Sequence, residues 1–343
     1  MDSSPGVAAH DSARLATSVI DLHAHYLSPD MFDLDRSGVS VSYDPDSSTF
    51  EFPSGRSRPV PEPLIDLEAR SAWTAAQSID LQVLSPWMDL IGDDLPAYEA
   101  EAWCRSLNDT TAADIRSKQN FRAFAALPLG DGIAAARELD RAVADLGFVG
   151  GAISSQVAGV DLDDAGLDPL FEAAVSLAAP LFVHPFRVVE PERLRRYFLN
   201  NICGVPFDTT VAAFRLFFSG TMDRWPDLKI VLAHCGGALP YLAGRAAKAS
   251  RSVSVIEHTV ESSDEILSRF FYDTMLHDPH ALGFAVSRVG VDRMVVGTDA
   301  PFPMQIEPVV GHIRDALAKA GLGEGAFETI TERTAQSLLR LDE

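Results

Sequence analysis

Val19-Ile20-Asp21-Leu22-His23-Ala24-His25 is an apolar run that ends in two imidazoles two positions apart. Side chains alternate along a β-strand, so a His-x-His pair at a strand end puts both rings on one face. Three later apolar runs end in the same kind of residue. Leu181-Phe182-Val183 leads to His184, Ile230-Val231-Leu232-Ala233 to His234, and Met294-Val295-Val296-Gly297-Thr298 to Asp299. One such His on its own reads as a buried histidine with its hydrogen bonds satisfied. Four strands that end alike point to one shared centre. His23, His25, His184 and Asp299 together form an N3O donor set for a borderline divalent cation. Three or four protein ligands also leave room for water, which is the inventory of a catalytic site.

Between these strands the chain alternates regularly. Further strands are expected at Leu81–Ser85, Arg122–Leu127, Gly150–Ser154 and Phe271–Thr274, which makes eight with the four above. Helices are expected at about 63–78, 96–118, 132–146, 169–178, 209–222, 239–248, 309–320 and 326–339. In the helix 132–146, Ile133, Leu139, Val143 and Leu146 form a helical stripe. An irregular stretch is expected over Pro185–Val205. Eight strands with helical crossovers predict a (β/α)8 TIM barrel, whose active site lies at the C-terminal ends of the strands. The His and Asp residues fall at those ends. After strand one the rhythm breaks over about residues 33–63. There Val39–Tyr43 and Ser48–Phe52 alternate around Asp44-Pro45-Asp46-Ser47, a turn sequence, and predict a small β-insertion. Residues 1–17 lack a basic region followed by an apolar run. They are read as a flexible leader, with one metal-dependent barrel domain over residues 18–343.

The 343 residues suit such a barrel, and 47% hydrophobic content is enough for a large core. With 28 Lys and Arg against 49 Asp and Glu, the net charge is −21. That balance opposes non-specific binding to nucleic acid or to an anionic membrane surface. Cys104, Cys203 and Cys235 are odd in number and unspaced, so no disulfide framework is expected and a cytoplasmic location fits. The longest apolar stretch, 173–183, is short and holds Pro180, so no bilayer-spanning segment is expected.

Zn²⁺ suits the donor set best, with Mn²⁺ or Fe²⁺ as possible alternatives. A metal-bound water would be shifted toward hydroxide at neutral pH. His234 is read as the general acid or base beside that water, the other reading being a fifth ligand. No Lys lies at the C-terminal end of any expected strand, and Lys229 opens its strand at the opposite rim. A bridging modified Lys is therefore absent, and one ion per chain is expected.

The motifs Asp21-Leu22-His23-Ala24-His25, Phe182-Val183-His184-Pro185, Ala233-His234-Cys235-Gly236-Gly237-Ala238, His277-Asp278-Pro279 and Gly297-Thr298-Asp299-Ala300-Pro301-Phe302-Pro303 resemble the amidohydrolase superfamily (amidohydrolase 2). Within it they are similar to the aminocarboxymuconate-semialdehyde decarboxylase (ACMSD) family, over about Val19 to Leu341. The resemblance implies one Zn²⁺ and a carbon–carbon lyase that removes CO2 without oxidation. It implies His23, His25, His184 and Asp299 as ligands and His234 as the catalytic His. The proton for the carbon that loses CO2 is expected from His234, or from Asp299 if that ligand is only loosely held. The resemblance also implies Arg58 as a substrate-carboxylate ligand, with Arg56 two residues earlier, and Phe302 as part of the pocket wall. Arg245 matches an Arg that enters the partner's site in a homodimer. The chain departs from the pattern at Cys235, where the family has Gly. Phe186 replaces a Trp, and Asn200 and Asn201 stand near a Pro and a substrate-facing Trp. The expected substrate is therefore an aromatic, heteroaromatic or ring-cleavage-derived carboxylic acid. A metal-dependent hydrolase of a lactone or amide is the alternative.

Overall fold

The computed structural model describes residues 17–32, 42–52, 55–57, 59–92 and 95–341. Eight parallel strands form the central sheet: β1 Ile20–Tyr26, β2 Leu81–Pro86, β3 Phe121–Ala126, β4 Gly150–Ile153, β5 Leu181–Val183, β6 Ile230–Leu232, β7 Phe271–Asp273 and β8 Met294–Val295. Each pairs in order with the next. The ring closes between β8 and β1 through isolated bridges, Asp21 to Val296 and Ala24 to Ala300. The expected (β/α)8 barrel is therefore present. β8 is shorter than the 294–298 run suggested, because beyond Val295 only these single bridges continue the pairing. That leaves the backbone free to bend at Asp299, where φ is +58°.

Some helices start where the side-chain chemistry provides a cap. Asp66 accepts the N–H groups of Glu68 and Ala69 ahead of helix Leu67–Ala76, and Asp131 does the same for Ile133 and Ala134 ahead of helix Gly132–Leu146. Each cap satisfies two amides that the helix itself leaves unpaired. The latter helix ends at Gly147 in the left-handed region, with φ +73°. The helix expected from Thr209 begins four residues earlier, as Val205–Phe218, since Pro206 lies in its first turn, where proline is tolerated. The irregular stretch before it contains a short helix, Pro191–Leu194, and a wide turn over Asn200–Gly204. Among the helices with no counterpart in the sequence reading are Ser263–Leu267, ahead of β7, and a longer one after it. Pro279–Val289 connects β7 to β8 and is capped by Asp278, whose carboxylate accepts from His280 and Ala281.

Two apolar layers hold the barrel. The outer one packs strand residues such as Leu181, Val183, Ile230 and Leu232 against helix residues such as Leu139, Phe171, Leu216 and Ile313. An inner cluster joins Ile20, Val83, Phe124, Phe182, Val231 and Val295 with Ala335, Leu338 and Leu339 of the C-terminal helix Thr334–Leu339. Residues of opposite strands meet this way only inside the ring. Phe124 and Phe182 stack there at 5.8 Å between centroids. The insertion after β1 is a three-stranded antiparallel sheet, Ser42–Asp44, Thr49–Phe52 and Gly55–Arg56. Its Phe50 is fully buried and packs on Trp87, just beyond β2, at 5.5 Å.

Candidate metal centre

The imidazole of His23 rests on this apolar plug, 5.0 Å from the Phe182 ring. Around it the C-terminal ends of β1, β5 and β8 bring together the four expected ligands. One donor atom each from His23, His25, His184 and Asp299 lie within 4.8 Å of one another. Such spacing suits one cation bound at roughly 2.0–2.2 Å. Asp299 Oδ1 stands 3.3 Å from Nε2 of both His23 and His25.

Partners on the far side of the rings fix the tautomers. His23 Nδ1 donates to Asp273 Oδ2 at 2.7 Å, and His25 Nδ1 donates to the Pro86 carbonyl at 3.1 Å. Each ring then turns its Nε2 inward, the nitrogen left to serve as a ligand once an ion displaces any proton on it. The inward atoms have no other use. Nε2 of His23, Nε2 of His25 and both nitrogens of His184 are buried without a hydrogen-bond partner. Buried polar atoms are normally satisfied, so this concentration of unpartnered ring nitrogens in one spot fits a donor set for a cation.

The electrostatics agree. Burial works against a charge on His23, yet the carboxylates of Asp299 and Asp273 outweigh it and push the imidazole up to about 10. His25 is lowered by burial, and His184 is held well below its ordinary value by burial and by the neighbouring imidazoles. Burial opposes ionisation of Asp299, but His23 above all holds it well below the usual carboxylate range. The centre thus attracts positive charge while keeping two rings neutral, a combination that a divalent ion satisfies.

His234 stands beside the four ligands. Its ring lies 4.9 Å from His184 and 5.3 Å from His23, and its Nε2 is 3.8 Å from Asp299 Oδ2. His234 and Cys235 both have φ of +54°, in the left-handed region. Asp273 secures that bend. Its Oδ2 accepts from the His234 amide at 3.0 Å and its Oδ1 from the Cys235 amide at 2.7 Å and the Met275 amide at 3.0 Å. The sequence reading passed over Asp273. The available signal was a carboxylate in the last position of an otherwise apolar strand.

The remaining expected residues are spread more widely. Phe302 packs on His25 at 5.3 Å and on Trp87 at 6.2 Å, so the Phe302–Trp87–Phe50 run links the centre to the inserted sheet. Trp87 was not singled out from the sequence. Phe186 and Asn200 line a cavity of about 390 Å³ with Gln156, Arg187, Val188 and Pro191, among others, next to the end of β5. Asn201 is exposed. Arg245 lies on the exposed side of helix Leu239–Ser250, one turn after Tyr241, and is not among the residues around the cation site. Arg58 lies outside the described residues, as does the side chain of Arg56. A larger cavity of about 770 Å³ borders Tyr26, Asp30, Glu62, Asp66, Glu68 and Asp114, and none of the centre's residues line it.

Comparison with known proteins places the chain. Residues 20–341 match the family model described as amidohydrolase. The 2-amino-3-carboxymuconate-6-semialdehyde decarboxylase of Dictyostelium discoideum is 31% identical over 268 residues, covering 77% of this chain and 74% of that protein. The gamma-resorcylate decarboxylase of a Polaromonas species is 29% identical over 329 residues, covering 88% and 94%. Among solved structures, a dihydroxybenzoic acid decarboxylase from Polaromonas, with bound manganese and 2-nitroresorcinol, superposes with a TM-score of 0.74 at 26% identity, covering 95% of this chain and 98% of that one. The apo IDCase of Metarhizium anisopliae shares the fold with a TM-score of 0.82 at 24% identity, covering 96% and 98%. The whole-length match and the assembled His-x-His, His and Asp centre agree: this chain belongs to the amidohydrolase family, in the branch that holds 2-amino-3-carboxymuconate-6-semialdehyde decarboxylase.

Proposed function

We propose that the protein is a metal-dependent, non-oxidative decarboxylase of an aromatic, heteroaromatic or ring-cleavage-derived carboxylic acid. The observation that carries the reading is the single N3O centre with His234 beside it and an aromatic wall, Phe302 and Trp87, along one side. A cation held by His23, His25, His184 and Asp299 would supply Lewis acidity toward substrate oxygens or a bound water. In the overall reaction the bond from the substrate carbon to its carboxylate breaks and CO2 leaves. The electron pair stays on the carbon and a proton takes the vacated position. His234 supplies that proton in this reading, with Asp299 the alternative donor. Phe302 and Phe186 flank a planar substrate, and Asn201 and Arg58 serve its polar groups.

The relatives reported above carry decarboxylase names, which favours CO2 release over hydrolysis of a lactone or amide. The experiment is direct. The metal-loaded enzyme, incubated with a panel of hydroxylated benzoic, pyridine carboxylic and muconic acids, is expected to release CO2 from at least one. If none loses CO2 while lactones or amides are cleaved with 18O from water entering the new carboxylate, the enzyme is a hydrolase.

For the metal, three imidazoles and one carboxylate suit Zn²⁺, and Mn²⁺ competes on the same donors. The manganese in the Polaromonas relative makes both ions the ones to load. Cytoplasmic residence fits three free thiols, two of them buried. Among the described residues no helix is long and apolar enough to cross a membrane.

We also infer a homodimer in which Arg245 enters the partner's site. Its exposure on the helix after β6, away from its own centre, supports this. A guanidinium presented from a second chain can grip a substrate carboxylate with two parallel hydrogen bonds. Mixing inactive Arg245→Ala and inactive His234→Ala protein is therefore expected to restore activity, because a mixed dimer has one site with both residues intact. No recovery from verified mixed dimers would place Arg245 outside the partner's chemistry.

A further inference from the structure

We propose that Asp21, Gln82, Arg70 and Thr298 form a positioning unit that holds the metal ligands of β1 and β8 in place. The inference rests on the cation site and not on the reaction assigned to it.

These side chains make a continuous buried chain of hydrogen bonds. Arg70, on helix Leu67–Ala76, is fully buried. Its Nε donates to the Pro63 carbonyl at 2.8 Å, its Nη1 to Gln82 Oε1 at 3.1 Å, and its Nη2 to the carbonyl of His25 itself. Gln82, on β2, passes the link on, its Nε2 donating to Asp21 Oδ2 at 2.7 Å. Asp21, also fully buried, then accepts from the Thr298 hydroxyl at 2.6 Å, the Thr298 amide at 3.2 Å and the His23 amide at 3.1 Å. The far end meets the near one, since the amides of Thr298 and Asp299 both donate to the His23 carbonyl, at 3.2 and 2.8 Å.

The placement explains a costly choice of residues. Among the described residues no carboxylate touches Arg70 directly, so the guanidinium and the Asp21 carboxylate are both buried and joined only through the Gln82 amide. An apolar set of the same volume would fill this space at less cost. What apolar groups cannot do is fix main-chain atoms in direction, and three of the main-chain groups gripped here belong to His23, His25 and the residue before Asp299. The grip falls on the seam where β8 pairs with β1 only through single bridges. It also falls next to Asp299, whose left-handed φ of +58° needs surrounding structure to maintain it.

The test measures binding of Mn²⁺ or Zn²⁺ by chelator competition, with no substrate present, alongside the melting temperature of the metal-free protein. Thr298→Val keeps the side-chain shape and removes the hydroxyl, and Gln82→Met removes the link. Each is expected to weaken ion binding by about tenfold or more, the range typical of groups behind a metal ligand. Thr298→Ser restores the hydroxyl and is expected to bind within about threefold of the parent, well inside that range. Equal affinity in Thr298→Val and the parent overturns the proposal, as does Thr298→Ser binding as weakly as Thr298→Val. Should Gln82→Met not fold, the Thr298 pair decides alone.

Discussion

His234→Ala is expected to keep its metal and to lose activity by about two to four orders of magnitude in kcat, the span of a lost general acid or base. The expectation follows from where the ring sits. The four donor atoms grouped within 4.8 Å come from other residues, while His234 Nε2 stands 3.8 Å from the outer oxygen of Asp299. Its main chain is fixed by Asp273, so a smaller side chain leaves the loop in place. Metal content by elemental analysis and turnover of an acid found active in the CO2 screen give the two readings. Loss of the ion together with activity would make His234 a ligand and would leave the proton donor to Asp299.

The second large effect belongs to His23. His23→Ala is expected to abolish tight metal binding, to stop turnover, and to remove the stabilisation that metal gives the parent. That stabilisation amounts to about 4 kcal/mol at an ion concentration a thousandfold above the dissociation constant. His23 is the ring held between two carboxylates, with Asp273 behind it and Asp299 in front. Removing it costs one ligand and leaves both carboxylates facing an apolar gap above Phe182. Calorimetric melting with and without added ion measures the difference. About one ion per chain is expected in the parent, and two tightly held ions in active protein would refute the one-ion reading drawn from the missing Lys.

What the chain revealed before its structure was known follows from how local each feature is. The barrel could be read because each apolar run is contiguous, and the ligands because each sits at the end of its own run. The pairing Phe302–Trp87–Phe50 could not be read, because its members are separated by whole helices and meet only when the sheet closes. Asp273 was hidden for a related reason: its four donors come from β1, from the turn after β6 and from its own loop. Arg70 looks like any helix arginine until helix Leu67–Ala76 is seen packed with no solvent on that face. The helix Pro279–Val289 is short, opens with Pro and contains Gly283, so its local propensity is weak and packing against helix Val309–Lys319 sustains it, with Gly283 close to the Ala316 carbonyl. Arg245 is a surface residue in one chain, and the role proposed for it requires a second.

Asp273 also constrains how this protein can change over generations. One carboxylate orients the ring of a metal ligand and holds the bend that carries the proposed proton donor. A substitution there cannot retune one without disturbing the other, so cation and acid–base group are inherited as a linked pair. Divergence toward new acids is then channelled to parts that bear no such double duty: the inserted sheet, the segment from Phe186 to Asn201, and the face of helix Leu239–Ser250.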